Sequence, residues 1–209
     1  MDGIDALRYV LNNNIEGDLV ECGVFQGNFE YIWIQELKKV NQERDIYLYD
    51  TFLGLTEPCE YDKTCDTAIH FHRTSDEVIN EWNNNKINEN TNNWCYASLD
   101  FVKNRLKSTN YPENKIHYIV GDVRKTLLID KNKPNKIAIL RLDTDWYDSS
   151  KVELQELYER VSVGGVIIFD DYYHWDGQRR AVDEYFSKIG VNYEIQSLNN
   201  GQCGSIIKK

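Results

Sequence analysis

The sequence has no apolar run long enough to cross a bilayer, no C-x-x-C pair and little basic charge. A membrane-spanning helix needs about 20 consecutive apolar residues. The first residues also lack the basic and apolar regions of a secretory signal. The five cysteines, an odd number, are typical of reduced thiols in a cytosol. We therefore expect a cytoplasmic protein.

Basic residues are outnumbered, with 24 Lys and Arg against 34 Asp and Glu, a formal net charge of -10 and a pI near 4.9. Nucleic-acid binding depends on clustered Lys and Arg that displace counterions from the phosphate backbone. An acidic surface also disfavours docking to an anionic membrane. We therefore expect neither nucleic acid nor a membrane as partner. The 209 residues suit one domain that covers the whole chain, residues 1–209.

Strand and helix signals alternate along the chain. Apolar runs rich in β-branched residues predict seven strands, at residues 18–23, 45–50, 115–120, 136–142, 165–169, 193–198 and 205–208. Apolar side chains at helical spacing predict helices at residues 29–40, 99–106, 149–161 and 178–189. This alternation is typical of an α/β protein with a doubly wound, Rossmann-like, seven-stranded sheet that is mostly parallel. A tight-turn signal at residues 199–201 predicts that the last two strands pair antiparallel at one edge.

The segment 56–95 interrupts this pattern. Its Asn-rich run at residues 83–93 is too polar to form a packed core, so we expect an exposed loop there. The whole segment is interpreted as a lid or insertion over the substrate. Its aromatic side chains suit either a sugar ring or the lid's own core: Tyr61, Phe71, Trp82 and Trp94.

Unusual residues follow the first three predicted strands, where ligands bind in doubly wound sheets. Gly23 and Gly27 let the backbone turn sharply and let a ligand approach, and the helix that follows offers free N–H groups to an anion. Asp50 ends the second strand and could accept hydrogen bonds from ribose hydroxyls, or cap the next turn. Asp122 follows the third strand and could bind an adenine amino group or cap a helix. Together these positions favour a nucleoside-binding site.

Four carboxylates stand at the ends of the fourth and fifth strands: Asp143, Asp145, Asp170 and Asp171. Packed together without a cation, they would repel one another. Mg²⁺ prefers carboxylate oxygens and completes its octahedron with water and substrate oxygens. The sequence therefore predicts a metal site at these two strand ends, the alternative being solvated loop carboxylates.

Taken in order, these motifs resemble the macrocin/mycinamicin O-methyltransferase family, relatives of which methylate deoxysugars on macrolide and aminocoumarin antibiotics. The resemblance covers residues 17–189. The residues that carry it are Glu21, Cys22, Gly23, Val24 and Gly27; Asp50, Thr51, Phe52, Gly54 and Leu55; Leu142, Asp143, Asp145, Tyr147 and Ser149; Gly164, Gly165, Asp170, Asp171 and Tyr172; and Arg180, Ala181, Val182, Asp183 and Tyr185.

The resemblance implies a class I methyltransferase fold that uses S-adenosyl-L-methionine and Mg²⁺. It implies cofactor binding by Glu21, Gly23, Gly27, Asp50, Thr51 and Asp122. It implies Mg²⁺ on Asp145, Asp170 and Asp171, with Asp143 as the catalytic base. Oligomeric assembly is not readable from the sequence, so a homo-oligomer is left open.

A sugar hydroxyl is a poor nucleophile because it holds its proton tightly. A bound cation lowers the pKa of a coordinated oxygen, and a neighbouring base can then accept the proton. Asp143 is the first candidate for this base. His174, two positions past the last acidic cluster, is the second, unless it is an ordinary surface or hydrogen-bonded histidine. Two adjacent hydroxyls chelating the ion would select the one to be methylated, so we predict a glycan or small-molecule acceptor with a vicinal diol.

Three rival interpretations remain open at this stage. Asp143, Thr144 and Asp145 form the D-x-D arrangement with which glycosyltransferases hold a metal and a nucleotide diphosphate. A catechol-type O-methyltransferase would also present adjacent hydroxyls to a metal. A Rossmann-like binding module whose carboxylates only solvate the surface is the non-enzyme alternative.

Overall fold

The computed structural model describes residues 3–68 and 72–209, which form alternating strands and helices. The strands are β1 (Asp18–Cys22), β2 (Ile46–Asp50), β3 (Ile116–Val120), β4 (Ile137–Leu142), β5 (Val161–Phe169), β6 (Gln196–Leu198) and β7 (Cys203–Ile207). The helices are α1 (Gly3–Asn12), α2 (Asn28–Lys39), α3 (Ser75–Asn84), α4 (Leu99–Lys107), α5 (Val123–Thr126), α6 (Tyr147–Leu157), α7 (Asp176–Ile189) and α8 (Asn199–Gln202).

The seven strands form one sheet in the order β3-β2-β1-β4-β5-β7-β6. The first five run parallel, whereas β7 is antiparallel to both β5 and β6. The predicted doubly wound, mostly parallel sheet with an antiparallel C-terminal edge is therefore confirmed. The strand order reverses between β1 and β4, and the carboxyl ends of strands beside such a reversal are where ligands bind in this class of fold.

The core lies on both faces of the sheet. All six residues of β4 are buried, as expected for a central parallel strand covered by helices on each side. Helix α7 packs Ala181, Val182 and Phe186 against the sheet, in agreement with the predicted apolar face. Within the described residues, no helix combines the length and the apolarity that a membrane crossing requires.

Three local features differ from the sequence-based predictions. Helix α1 was not predicted, although it buries Ala6, Leu7 and Val10 at helical spacing. Helix α3 lies within the insertion and was not predicted; it begins with a capping box between Thr74 and Glu77. The antiparallel pairing predicted from the turn signal at residues 199–201 is confirmed, but β6 and β7 are joined by the one-turn helix α8 and not by a tight turn. A four-residue connection of this kind suits the observed pairing of Leu198 with Cys203.

The segment 56–95 packs against the amino ends of α6 and α7. Asp62 is fully buried and accepts the N–H groups of Cys59 at 2.6 Å and Tyr147 at 2.8 Å. Gly177 makes room for it, since a Cβ at that position would lie 1.9 Å from the Asp62 Oδ1 atom. The Asn-rich run is mostly exposed, except for Asn92, whose buried amide donates to the Trp82 carbonyl. Phe71 of the predicted lid lies outside the described residues.

Candidate active site

A cavity of about 210 Å³ opens at the carboxyl ends of β1, β2, β4 and β5. It brings together seven of the eleven predicted site residues: Gly23, Asp50, Thr51, Asp143, Asp145, Asp170 and Asp171. Other parts of its wall come from the turn after β1, the loops after β2 and β3, and segment 56–95: Phe25, Leu55, Gly121, Val123, Thr56 and Cys95. Four predicted site residues are not among the described residues that line it: Glu21, Gly27, Asp122 and His174.

The glycine turn places β1 directly against the end of β4. Gly23 has φ 86, and a Cβ there would lie 1.9 Å from the Asp143 carbonyl oxygen. Gly27 has φ 72 and precedes the first residue of α2. Both positions therefore require glycine. Because glycine has no side chain, a ligand can approach the main chain of this turn closely.

Asp50 ties the end of β2 to this turn. Its Oδ2 atom accepts the N–H groups of Val24 at 2.7 Å and Phe25 at 3.0 Å, and its Oδ1 atom accepts that of Phe52 at 2.6 Å. Burial raises the pKa of this carboxyl, and the three N–H donors oppose that rise. The carboxylate is thus fixed at the cavity wall.

Asp122 caps the short helix α5. Its Oδ1 atom accepts the Arg124 N–H at 2.9 Å, and both of its oxygens bind the Arg124 guanidinium. Of the two interpretations left open by the sequence, the structure displays the helix cap. The neighbouring Gly121 and Val123 line the cavity instead.

Three carboxylates meet at the other end of the cavity. Oxygens of Asp143, Asp170 and Asp171 all lie within 4.8 Å of one another. Burial raises the pKa of Asp143 and of Asp171 well above the ordinary range, and the neighbouring carboxylates raise them further. The buried Oδ2 atom of Asp171 has no hydrogen-bond partner among the described residues. A divalent cation fits this donor set, because it would satisfy that oxygen and offset the repulsion.

Arg141 is a functional residue that the sequence reasoning missed. Its side chain is buried (3 % exposed), and Nη1 donates to Glu21 and to Asp143 while Nη2 donates to Asp170 at 2.6 Å. Its guanidinium carbon lies 3.7 Å from the centre of the Phe29 ring. An arginine in a buried strand, two residues before Asp143 and therefore on the same face, was the available signal. The acid cluster thus contains a resident cation.

Asp145 is not one of the three carboxylates whose oxygens lie within 4.8 Å of one another, although the sequence had placed it in the metal set in place of Asp143. It lies beside Asp171, and its Oδ1 atom accepts the indole N–H of Trp175 at 2.8 Å. Its φ of 66 lies in the left-handed region, as do those of Phe25 (48) and Cys95 (52), which line the same cavity. Such backbone strain is concentrated at functional sites.

His174 follows the second acidic strand end but points elsewhere. Its ring packs edge-on against Trp175, with 4.7 Å between centroids, and its Nδ1 atom lies 3.4 Å from Gln202 Nε2. The cavity is lined by other residues. The geometry therefore gives the predicted base role of His174 no support.

Glu153 is another buried ionisable side chain that the sequence reasoning missed. It lies on α6 and accepts the Thr144 hydroxyl at 2.8 Å, while its other oxygen has no partner among the described residues. Burial raises its pKa from 4.5 to about 8. The folded protein therefore binds a proton that the unfolded chain releases between these values.

Glu153→Gln should change how stability depends on pH. The contribution of a neutral Glu153 is complete below pH 4.5 and is lost as the pH rises through about 8. In urea unfolding, the free energy of unfolding of the variant should exceed that of the parent by an amount that grows with pH. The growth should be at most about 1.4 kcal/mol per pH unit. Glu159→Gln, at a side chain that is 79 % exposed, is the control. Parallel pH profiles for all three proteins would contradict the buried neutral carboxyl.

Comparison with known proteins decides the family. A sequence model of macrocin O-methyltransferases matches residues 2–203. The chain belongs to this family. It is 28 % identical over 193 residues to demethyldecarbamoylnovobiocin O-methyltransferase of Streptomyces niveus, covering 91 % of this chain and 66 % of that protein. It is 26 % identical over 197 residues to mycinamicin III 3''-O-methyltransferase of Micromonospora griseorubida, covering 93 % and 70 %.

Solved structures of methyltransferases are similar in fold to this chain. The O-methyltransferase NovP superposes with a TM-score of 0.80 at 23 % identity, covering 99 % of this chain and 77 % of NovP. The calicheamicin methyltransferase CalS11 superposes with a TM-score of 0.69 at 18 % identity, covering 98 % of this chain and 76 % of CalS11. The chain spans about two thirds of the length of its curated relatives in the macrocin O-methyltransferase family.

Proposed function

We propose that this protein is an S-adenosylmethionine- and Mg²⁺-dependent O-methyltransferase that acts on a sugar hydroxyl of a glycosylated natural product or a surface glycan precursor. One observation carries the proposal: a single cavity runs from the glycine turn and Asp50 to the carboxylates after β4 and β5. A nucleoside site and an acidic site are thus adjacent. The printed names of the relatives support the acceptor class, since one acts on a rhamnosyl group of tetracenomycin C.

The cofactor end is built from the turn after β1 and the end of β2. Gly23 provides bare backbone, while Asp50 and Thr51 offer oxygens at the cavity wall. S-adenosylmethionine supplies an activated methyl group, so the protein must mainly align it with a competent nucleophile. Thr51 is held for this purpose by its hydroxyl, which donates to the Gly54 carbonyl at 2.8 Å.

Asp143, Asp170 and Asp171 would hold the Mg²⁺ ion, which acidifies a hydroxyl oxygen when bound. We assign the metal to these three because their oxygens already lie together. Asp145 then becomes the base, which exchanges the roles that the sequence predicted for Asp143 and Asp145. One Asp145 oxygen accepts the Trp175 N–H, and we assign the other to accept the proton of the acceptor hydroxyl.

A metal held by three carboxylates leaves coordination positions for two substrate oxygens and water. Adjacent hydroxyls on a sugar ring could fill two of these positions together. The acceptor hydroxyl would be fixed between the base and the methyl donor. We therefore retain a vicinal diol as the proposed acceptor.

Calorimetry with S-adenosylhomocysteine, followed by transfer assays on deoxysugar glycosides, tests the function. Binding should occur with or without Mg²⁺, whereas transfer should disappear in EDTA and return on adding Mg²⁺. Methyl transfer that continues in EDTA would refute the proposed requirement for Mg²⁺. Binding of a nucleotide sugar in the absence of S-adenosylhomocysteine binding would favour the glycosyltransferase alternative, and preference for catechols over glycosides would refute the sugar acceptor.

A further inference from the structure

Trp175 donates a side-chain hydrogen bond to the Asp145 carboxylate from outside the acid cluster. The indole is 3 % exposed, and its N–H donates to Asp145 Oδ1 at 2.8 Å. Asp145 has a left-handed backbone, with φ 66, that a non-glycine residue adopts only when its surroundings enforce it. The bond therefore selects one orientation of a strained residue.

Segment 56–95 in turn holds Trp175. Its ring meets Trp146 edge-on at 5.2 Å and Trp94 of the segment at 6.3 Å between centroids. Thr64 forms an isolated β-bridge with Trp175, and the N–H of the next residue, Asp176, donates to the Lys63 carbonyl at 2.8 Å. Both the ring and the backbone of Trp175 thus depend on the docked segment.

We propose that Trp175 is a positioning residue that orients Asp145 for proton acceptance, and that segment 56–95 sets its position. The inference rests on the proposed function of the cavity. With Oδ1 engaged by the indole, Oδ2 is the oxygen left to accept the proton, so the two oxygens of the base are no longer equivalent. The segment then acts on the chemistry through a tryptophan and need not touch the reacting atoms itself.

The indole N–H signals of the five tryptophans report directly on this bond. In ¹H–¹⁵N spectra, Trp175→Phe identifies the Trp175 signal by its loss. Asp145→Asn replaces a charged acceptor by a weaker one, so the Trp175 proton should move upfield. Trp94→Ala, which removes the segment's ring from the cluster, should shift the same signal. An unmoved Trp175 signal in either variant would overturn the proposal.

Steady-state kinetics test whether Trp175 affects the rate of methyl transfer. Trp175→Phe keeps an aromatic ring but loses the donor, and kcat should fall by about 10- to 100-fold, since small misplacements of a catalytic group have effects of this size. The KM for S-adenosylmethionine should stay unchanged. The control is Trp33→Phe in α2. Trp33 is also buried, and its indole N–H donates to the Gly3 carbonyl at 2.9 Å, so this variant likewise loses one buried hydrogen bond. It should leave kcat unchanged.

Equal kcat values for Trp175→Phe and the parent would refute the positioning role while leaving the methyltransferase proposal intact. A parent protein without methyl transfer would refute the proposed function, and the spectra would still report whether Trp175 binds Asp145. The two failures are therefore distinguishable.

Discussion

Arg141→Met should lower the free energy of unfolding by about 3–5 kcal/mol, because removing one partner leaves buried charges uncompensated. The guanidinium is the cation that Glu21, Asp143 and Asp170 share. Urea unfolding in EDTA measures the effect without a contribution from metal. Methionine retains the unbranched stem of the side chain but not the guanidinium over the Phe29 ring, so the loss includes that contact as well as the charge.

Two comparisons sharpen this prediction. Arg160→Met removes a partner from Asp130, whose side chain is 84 % exposed, and should change stability by about 1 kcal/mol or less. Arg141→Lys should fall between parent and Arg141→Met, since one ammonium cannot reproduce the planar fork. Mg²⁺ should stabilise Arg141→Met more than the parent if the ion enters the same cluster. An Arg141→Met variant as stable as the parent would show that the carboxylates are already neutral in the fold.

The sequence predicted the positions of the strand ends well, because each depends on local patterns. A buried strand followed by a glycine turn locates Gly23, and a second strand ending in an acid locates Asp50. Parallel strands bring such ends to one edge, so Asp143 and Asp170 were expected to be neighbours. These residues line the cavity as a result.

Interactions between distant positions could not be read in the same way. Arg141 and Glu21 are 120 positions apart in the sequence, yet their side chains form an ion pair. The argument that repulsion among the carboxylates requires a bound cation did not include the positive charge of Arg141. The neutral state that burial favours for Glu153 depends on the packing of α6, which no local pattern reveals. Asp62 of the insertion was not singled out in the sequence, yet it accepts the N–H of Tyr147, the first residue of α6, from a buried position.

The different roles of Asp143 and Asp145 could not be told apart from the sequence. Both follow β4, both are carboxylates, and two-residue spacing alone would put them on the same side. The left-handed backbone of Asp145 turns its side chain towards Trp175, 30 positions later. Asp143 instead stays with Arg141 and the acids after β5.

Asp171→Asn and Asp145→Asn should therefore separate metal binding from proton acceptance, although each removes one negative charge. Asp171 has an unpartnered oxygen in the three-carboxylate group, so its amide variant should lose the heat of Mg²⁺ binding in calorimetry and lose transfer with it. Asp145→Asn should keep Mg²⁺ binding and S-adenosylhomocysteine binding while kcat falls by about 10²–10⁴-fold, the usual contribution of a general base.

The same pair also tests the assignment that the sequence favoured, with Asp145 as ligand and Asp143 as base. On that assignment Asp145→Asn loses Mg²⁺ binding together with Asp171→Asn, whereas Asp143→Asn keeps it. The structure opposes this outcome because Trp175 already occupies one Asp145 oxygen, while the oxygens of Asp143, Asp170 and Asp171 face one another. Retention of Mg²⁺ affinity in Asp145→Asn and its loss in Asp143→Asn would place the ion on the three clustered carboxylates, with Asp145 left to take the proton.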